Sequence, residues 1–200
     1  GGKDPGAESQ DKKLNEKILT LDIALRLKRK LESYGYKVIL TRTEDKYVPL
    51  STRPAIANKY GADLFVSIHF NAVGDSRVDG VETFIMTPQD LPSSSTTKIT
   101  SSARRSYPGN ANDPWNVLAG YFMQTALVRN LQVDDRGLKR ARFAVLKDLN
   151  CPGVLVECGF LTNPTDAYKL RSEAYREKIA NALLEGILLY QKKLNILRGR

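Results

Sequence analysis

Asp63-Leu64-Phe65-Val66-Ser67-Ile68-His69-Phe70-Asn71-Ala72 is the stretch on which the reading of this chain turns. Apolar and β-branched residues run from Asp63 into an imidazole, after which a short polar loop begins, so Asp63–His69 reads as a strand. His69 is the only histidine among the 200 residues. A second run, Gly153-Val154-Leu155-Val156, ends in the same way on Glu157. In open α/β sheets, catalytic and binding groups collect just beyond the carboxyl ends of the strands. An imidazole and a carboxylate at two such ends suggest a hydrolytic metal site. A lone histidine is ordinarily a core or surface residue, so the case depends on what accompanies it.

The rest of the chain supplies the frame. Asn15 caps a helix running to about Tyr34, with Gly35 as its left-handed stop. Ile18, Leu21, Ala24, Leu25, Leu27 and Leu31 form its apolar face. Tyr36–Arg42 reads as a strand. Ser51 caps a short helix with Pro54 in its first turn and Gly61 at its end. Gly80–Met86 and Arg142–Leu146 read as further strands. Pro114–Asn130 is helical, with Leu118, Tyr121, Phe122 and Thr125 on one face. Asn163-Pro164 marks a helix start, and Ser172 to about Lys193 forms a long amphipathic helix that closes the core. Strands alternating with helices predict a three-layer α/β domain, its mostly parallel, twisted sheet flanked by helices. Between Gly80–Met86 and the Pro114 helix, residues 87–113 carry Pro88, Pro92, a Ser/Thr run and Pro108-Gly109. They read as an inserted loop that is substrate-facing or mobile.

Composition narrows the functional classes. Hydrophobic content of 42% with 26% charged residues suits one soluble domain over 1–200. No apolar run reaches the ~20 residues needed to span a bilayer. The net charge of +9 favours anionic partners, nucleic acid or an anionic cell wall. Much of it lies on helices, as in Arg26-Leu27-Lys28-Arg29-Lys30, where a solvated face explains it. No aromatic platform interleaved with cations is present, which argues against nucleic acid as the partner. Cys151 and Cys158 flank a strand, too far apart to bond.

Several phrases, taken in order, resemble one family. They are Gly1-Gly2-Lys3-Asp4-Pro5-Gly6-Ala7 with Asn15-Glu16-Lys17, Val38-Ile39-Leu40-Thr41-Arg42-Thr43, and Leu50-Ser51-Thr52-Arg53 with Ala55-Ile56-Ala57-Asn58. Then come Ser67-Ile68-His69-Phe70-Asn71-Ala72, Gly80-Val81-Glu82-Thr83-Phe84, Arg136-Gly137-Leu138-Lys139, and Val156-Glu157-Cys158-Gly159-Phe160-Leu161-Thr162-Asn163-Pro164. Together they resemble the zinc-dependent N-acetylmuramoyl-L-alanine amidases, which cleave bacterial peptidoglycan.

The resemblance implies a Zn2+ cofactor, a peptidoglycan substrate, a monomer, and export to the periplasm or cell envelope. It places metal ligands at Glu16 and His69 and the catalytic carboxylate at Glu157. A further ligand, a histidine, is expected just before Gly1 together with a first strand. Neither has a counterpart here, so a missing opening segment is expected and zinc should be poorly held. Apart from the resemblance, Glu16 is an ordinary first-turn carboxylate favoured by the helix dipole, whereas Glu157 follows a buried strand that normally excludes carboxylates. Asn71 is expected to orient His69 or meet substrate. Arg136 and Lys139 are weaker candidates for binding stem-peptide carboxylates from a loop. Glu82 reads as outward-facing or supporting. The rival is a catalytically inactive cell-wall binding module of the same fold.

Overall fold

The computed structural model describes residues 1–199. Helix α1 (Glu16–Ser33) begins where Asn15 Oδ1 accepts the Ile18 N–H at 3.3 Å, and it stops at Tyr34 before Gly35. Helix α2 (Thr52–Lys59) follows Ser51, although the Ser51 hydroxyl makes no capping bond. Strands β1 (Phe65–Asn71) and β2 (Val81–Met86) lie close to the predicted runs. Helix α3 (Asp113–Leu131), strand β3 (Asp135–Ala141), the short helix α4 (Ala144–Lys147), strand β4 (Gly153–Phe160), and helices α5 (Pro164–Arg171) and α6 (Glu173–Leu197) complete the chain. At α5, Asn163 Oδ1 accepts the N–H groups of Thr165 and Asp166 at 2.9 and 3.0 Å, as the Asn-Pro signal predicts.

The sheet order is β1-β4-β2-β3. Pairings β1–β4 and β2–β3 are parallel and β2–β4 is antiparallel, so the sheet is mixed but mostly parallel. One face packs on α1, α3 and α6 through Ile23, Leu27, Met123, Leu127, Ile179 and Leu183. The other face buries Phe65, Met86 and Leu155 against Ala57, Val145 and Leu146 from α2 and α4. These are the three layers. Glycine permits the close approach of α3: a Cβ on Gly120 would strike Leu138 and Ile85.

Three elements differ from expectation. Tyr36–Leu40 belongs to no strand or helix and pairs with no strand among the described residues. A cavity of about 520 Å³, lined in part by Leu21, Leu27, Val38, Val66 and Ile68, lies between α1, this segment and the free edge of β1. The strand predicted at Arg142–Leu146 lies earlier, at Asp135–Ala141. Its charges masked it, because edge strands carry charge that interior strands cannot. On α3 the buried side is Ala119, Gly120, Met123, Gln124, Ala126 and Leu127, whereas Tyr121 is 57% exposed. Its packing face is turned from the predicted one and mixes small residues with Met123 and Leu127.

Residues 87–113 are irregular, with short 3-10 turns at Ser101–Arg104 and Pro108–Asn112. They are tied to the end of β3. Arg142 donates to the carbonyls of Pro88 and Leu91, both at 2.7 Å, and Ser94 N–H donates to the Arg140 carbonyl at 2.8 Å. Both cysteines are free and buried.

Candidate active site

Strand register builds the site. His69 on β1 lies directly beside Glu157 on β4, and Glu157 lies opposite Glu82 on β2. Side chains at paired positions share one face of a sheet, so one imidazole and two carboxylates form a row. The first turn of α1 adds a third carboxylate. Glu16 Oε1 is 2.7 Å from His69 Nδ1, and Glu16 Oε2 accepts the Ala7 N–H at 2.9 Å. Residues 53 apart in sequence therefore meet at one sheet end.

Local backbone explains how Glu16 is held. Gly6 has φ +71°, and a Cβ there would fall inside contact distance of the Glu16 carboxylate. The Phe70 N–H also donates to Glu16 Oε1, at 3.4 Å. Burial opposes ionisation of Glu16. The hydrogen bond and charge of His69 and the two backbone donors outweigh it, and hold the carboxyl below its ordinary range. Ser67, two residues before His69 and so on the same strand face, places its hydroxyl 2.8 Å from His69 Nε2. Strand alternation alone could have identified this partner.

Glu157 is in the opposite condition. Its Oε2 is buried without a hydrogen-bond partner. Burial, then the charges of Glu16 and Glu82, push its carboxyl up to about 8.

Glu82 corrects the expectation that it faces outward, since it is only 4% exposed. Its Oε1 accepts Asn71 Nδ2 at 2.9 Å, and its Oε2 meets Arg136 Nε at 3.4 Å and Lys139 Nζ. Asn71 therefore braces Glu82 and does not orient His69. Arg136 and Lys139 are not loop cations; they stand on β3, paired with this buried carboxylate.

The donor set suits a borderline cation in kind: an imidazole nitrogen and a carboxylate oxygen in contact, with an unpartnered buried carboxylate beside them. In number it is short. Among the described residues no group of three His, Cys, Asp or Glu side chains could hold a metal ion.

The sequence profile of the N-acetylmuramoyl-L-alanine amidases matches residues 1–188. The chain is 32% identical to the amidase AmiC of Neisseria meningitidis, over all of this chain and 52% of that protein. It is 31% identical to AmiA of Escherichia coli, over 95% of this chain and 73% of that one. Against AmiC the chain thus spans about half the relative's length. The crystal structure of an N-acetylmuramoyl-L-alanine amidase from Clostridium difficile superposes with TM-score 0.79 at 33% identity, covering 96% of this chain and 92% of that one. AmiC2 of Nostoc punctiforme superposes with TM-score 0.79 at 31% identity, covering 96% and 92%. With a profile match over nearly its whole length and the fold to go with it, the chain belongs to the N-acetylmuramoyl-L-alanine amidase family.

Proposed function

We propose that the chain is a zinc-dependent hydrolase of the amide bond between N-acetylmuramic acid and L-alanine in peptidoglycan. The observation that carries this reading is the buried, unpartnered Glu157 carboxyl lying in register beside the Glu16–His69 pair. A carboxyl left without a partner in a folded core is costly, and such groups concentrate where chemistry is done.

Glu16 and His69 would hold the zinc. A catalytic zinc takes three protein ligands, and the third, which the family resemblance makes a histidine, has no counterpart among the described residues. When bound, zinc supplies Lewis acidity toward the scissile carbonyl and lowers the pKa of water. Ser67 engages His69 Nε2 and so orients the ring, which leaves Nδ1, turned to Glu16, as the nitrogen that would ligate the metal. Glu157, which would be ionised once a cation's charge stood beside it, takes a proton from the attacking water and returns it to the leaving amine of L-alanine, the role of a general base turned general acid. Arg136 and Lys139 face the stem peptide. Action on peptidoglycan implies export to the cell envelope; no helix among the described residues is long and apolar enough to cross a membrane.

The test is digestion of purified peptidoglycan with excess zinc, followed by mass spectrometry of the soluble products. Stem peptides bearing a free L-alanine amine are expected. Retention on the polymer with no peptide released would assign the inactive wall-binding module instead, and release of saccharide fragments alone would overturn the bond assignment.

A further inference from the structure

We propose that Glu82 is a positioning residue that holds Arg136 and Lys139 as a subsite for a free carboxylate of the stem peptide, making the site selective for acidic over amidated stems. The proposal rests on the peptidoglycan reading above and names the part of the substrate that β3 recognises.

Glu82 is buried, whereas Arg136 and Lys139 keep about a third of their side-chain surface, 34% and 30%. The carboxylate is therefore the fixed member and the cations are the faces it presents. Two charges of one sign meet one of the other, leaving the cluster net positive. Donors also remain. Arg136 donates Nε to Glu82 and Nη1 to the Asp79 carbonyl at 3.5 Å, and Lys139 donates once to Glu82. A guanidinium has five N–H donors and an ammonium three, so both can bind a second anion without releasing Glu82. Aromatic rings fix them further: the Arg136 guanidinium lies 5.2 Å from the Phe160 ring centroid and Lys139 Nζ 5.8 Å from that of Phe84. Asn71 braces the other Glu82 oxygen from β1. Since Glu82 lies directly opposite Glu157, the held cations on β3 are separated from the proposed base on β4 by the one strand β2.

The position discriminates by charge. A carboxylate entering beside Glu82 and Glu157 meets two carboxyls, and only the two cations make that approach favourable. An amidated stem keeps hydrogen-bonding capacity but loses the charge-assisted bonds, which are the stronger kind.

The experiment is calorimetric binding of two soluble muramoyl-peptide fragments to the purified protein. One carries free stem carboxylates, and the other has the same carboxylates amidated. The free acid should bind about 10- to 100-fold more tightly, the span of charge-assisted hydrogen bonds. Arg136→Gln and Lys139→Gln should each weaken the free acid toward the amide. Glu82→Gln, nearly isosteric, should reduce the preference with both cations still present, and Glu82→Asp should restore part of it. Equal binding of the two fragments by the wild type would overturn the subsite. An unchanged preference in Glu82→Gln, with the cation variants defective, would overturn the positioning role. Binding of neither fragment would overturn the peptidoglycan reading itself, and the subsite with it.

Discussion

Glu82 and Glu157 stand directly opposite each other across the antiparallel β2–β4 pair, and only Glu82 is compensated. Glu82 has an amide and two cations, whereas one oxygen of Glu157 has no partner among the described residues. Burial and the neighbouring carboxylates thereby raise the Glu157 carboxyl, a preparation for proton transfer.

This asymmetry has a sign that pH can read. The folded-state pKa of Glu157 is raised, to about 8, so between its ordinary value and about 8 the folded chain binds more protons than the unfolded one. Glu157 therefore imposes no penalty below about 4.5 and an increasing one up to about 8. Thermal unfolding of the metal-free protein should show Glu157→Gln more stable than wild type at pH 8, on the order of a few kcal/mol. The difference should vanish near pH 4.5. A constant difference across that range would mean that Glu157 is solvated.

Activity and metal content should separate the roles of two residues. In protein that turns over peptidoglycan, Glu157→Gln should retain zinc and lose activity by the ~10²–10⁴-fold typical of a removed acid–base group. His69→Ala should lose zinc and activity together. Metal analysis beside stem-peptide release decides it, and near-normal turnover in Glu157→Gln would make the carboxylate structural.

Gly6→Ala should disturb the site from outside it. The residue has φ +71°, and its new methyl would collide with the Glu16 carboxylate. We expect a stability loss on the order of 1–3 kcal/mol, from a strained left-handed backbone and a displaced Glu16. Zinc affinity should fall in the same variant. Unchanged melting and unchanged metal titration would show that the Gly6 turn does not hold Glu16.

Arg142→Ala should free the inserted segment. Arg142 bonds to the Pro88 and Leu91 carbonyls, and its Nε is buried. Trypsin should then cut more rapidly after Lys98, Arg104 or Arg105, while α3 and the sheet stay protected. Equal cleavage rates in the two proteins would assign the anchoring to Ser94 and Arg140 instead.

What could be read before folding follows from where the pattern is local. The ends of β1 and β4 were legible because burial on both faces leaves continuous apolar runs, and the residues that break them, His69 and Glu157, stand out. The Asn163 cap was legible because the two N–H groups that its Oδ1 accepts lie within three residues. β3 was not, because Asp135-Arg136-Gly137-Leu138-Lys139 reads as loop until Glu82, more than fifty residues away, supplies the counter-charge. Glu82 stayed open between an outward-facing and a supporting role for the converse reason: alternation with Val81 and Thr83 gives a face, but not whether that face is wet. Tyr36–Leu40 has strand-forming residues yet pairs with no strand among the described residues. No propensity can register that.

The bare edge of β1 has a colloidal consequence. Unpaired N–H and C=O groups beside an apolar slot form an adhesive template for the extended segment of another copy. Strand-to-strand sticking of this kind grows with concentration, and mutual repulsion from a charge of +9 is what opposes it. Salt screens that repulsion, so the chain should stay dispersed in dilute, low-salt buffer and cluster as either protein or salt is raised.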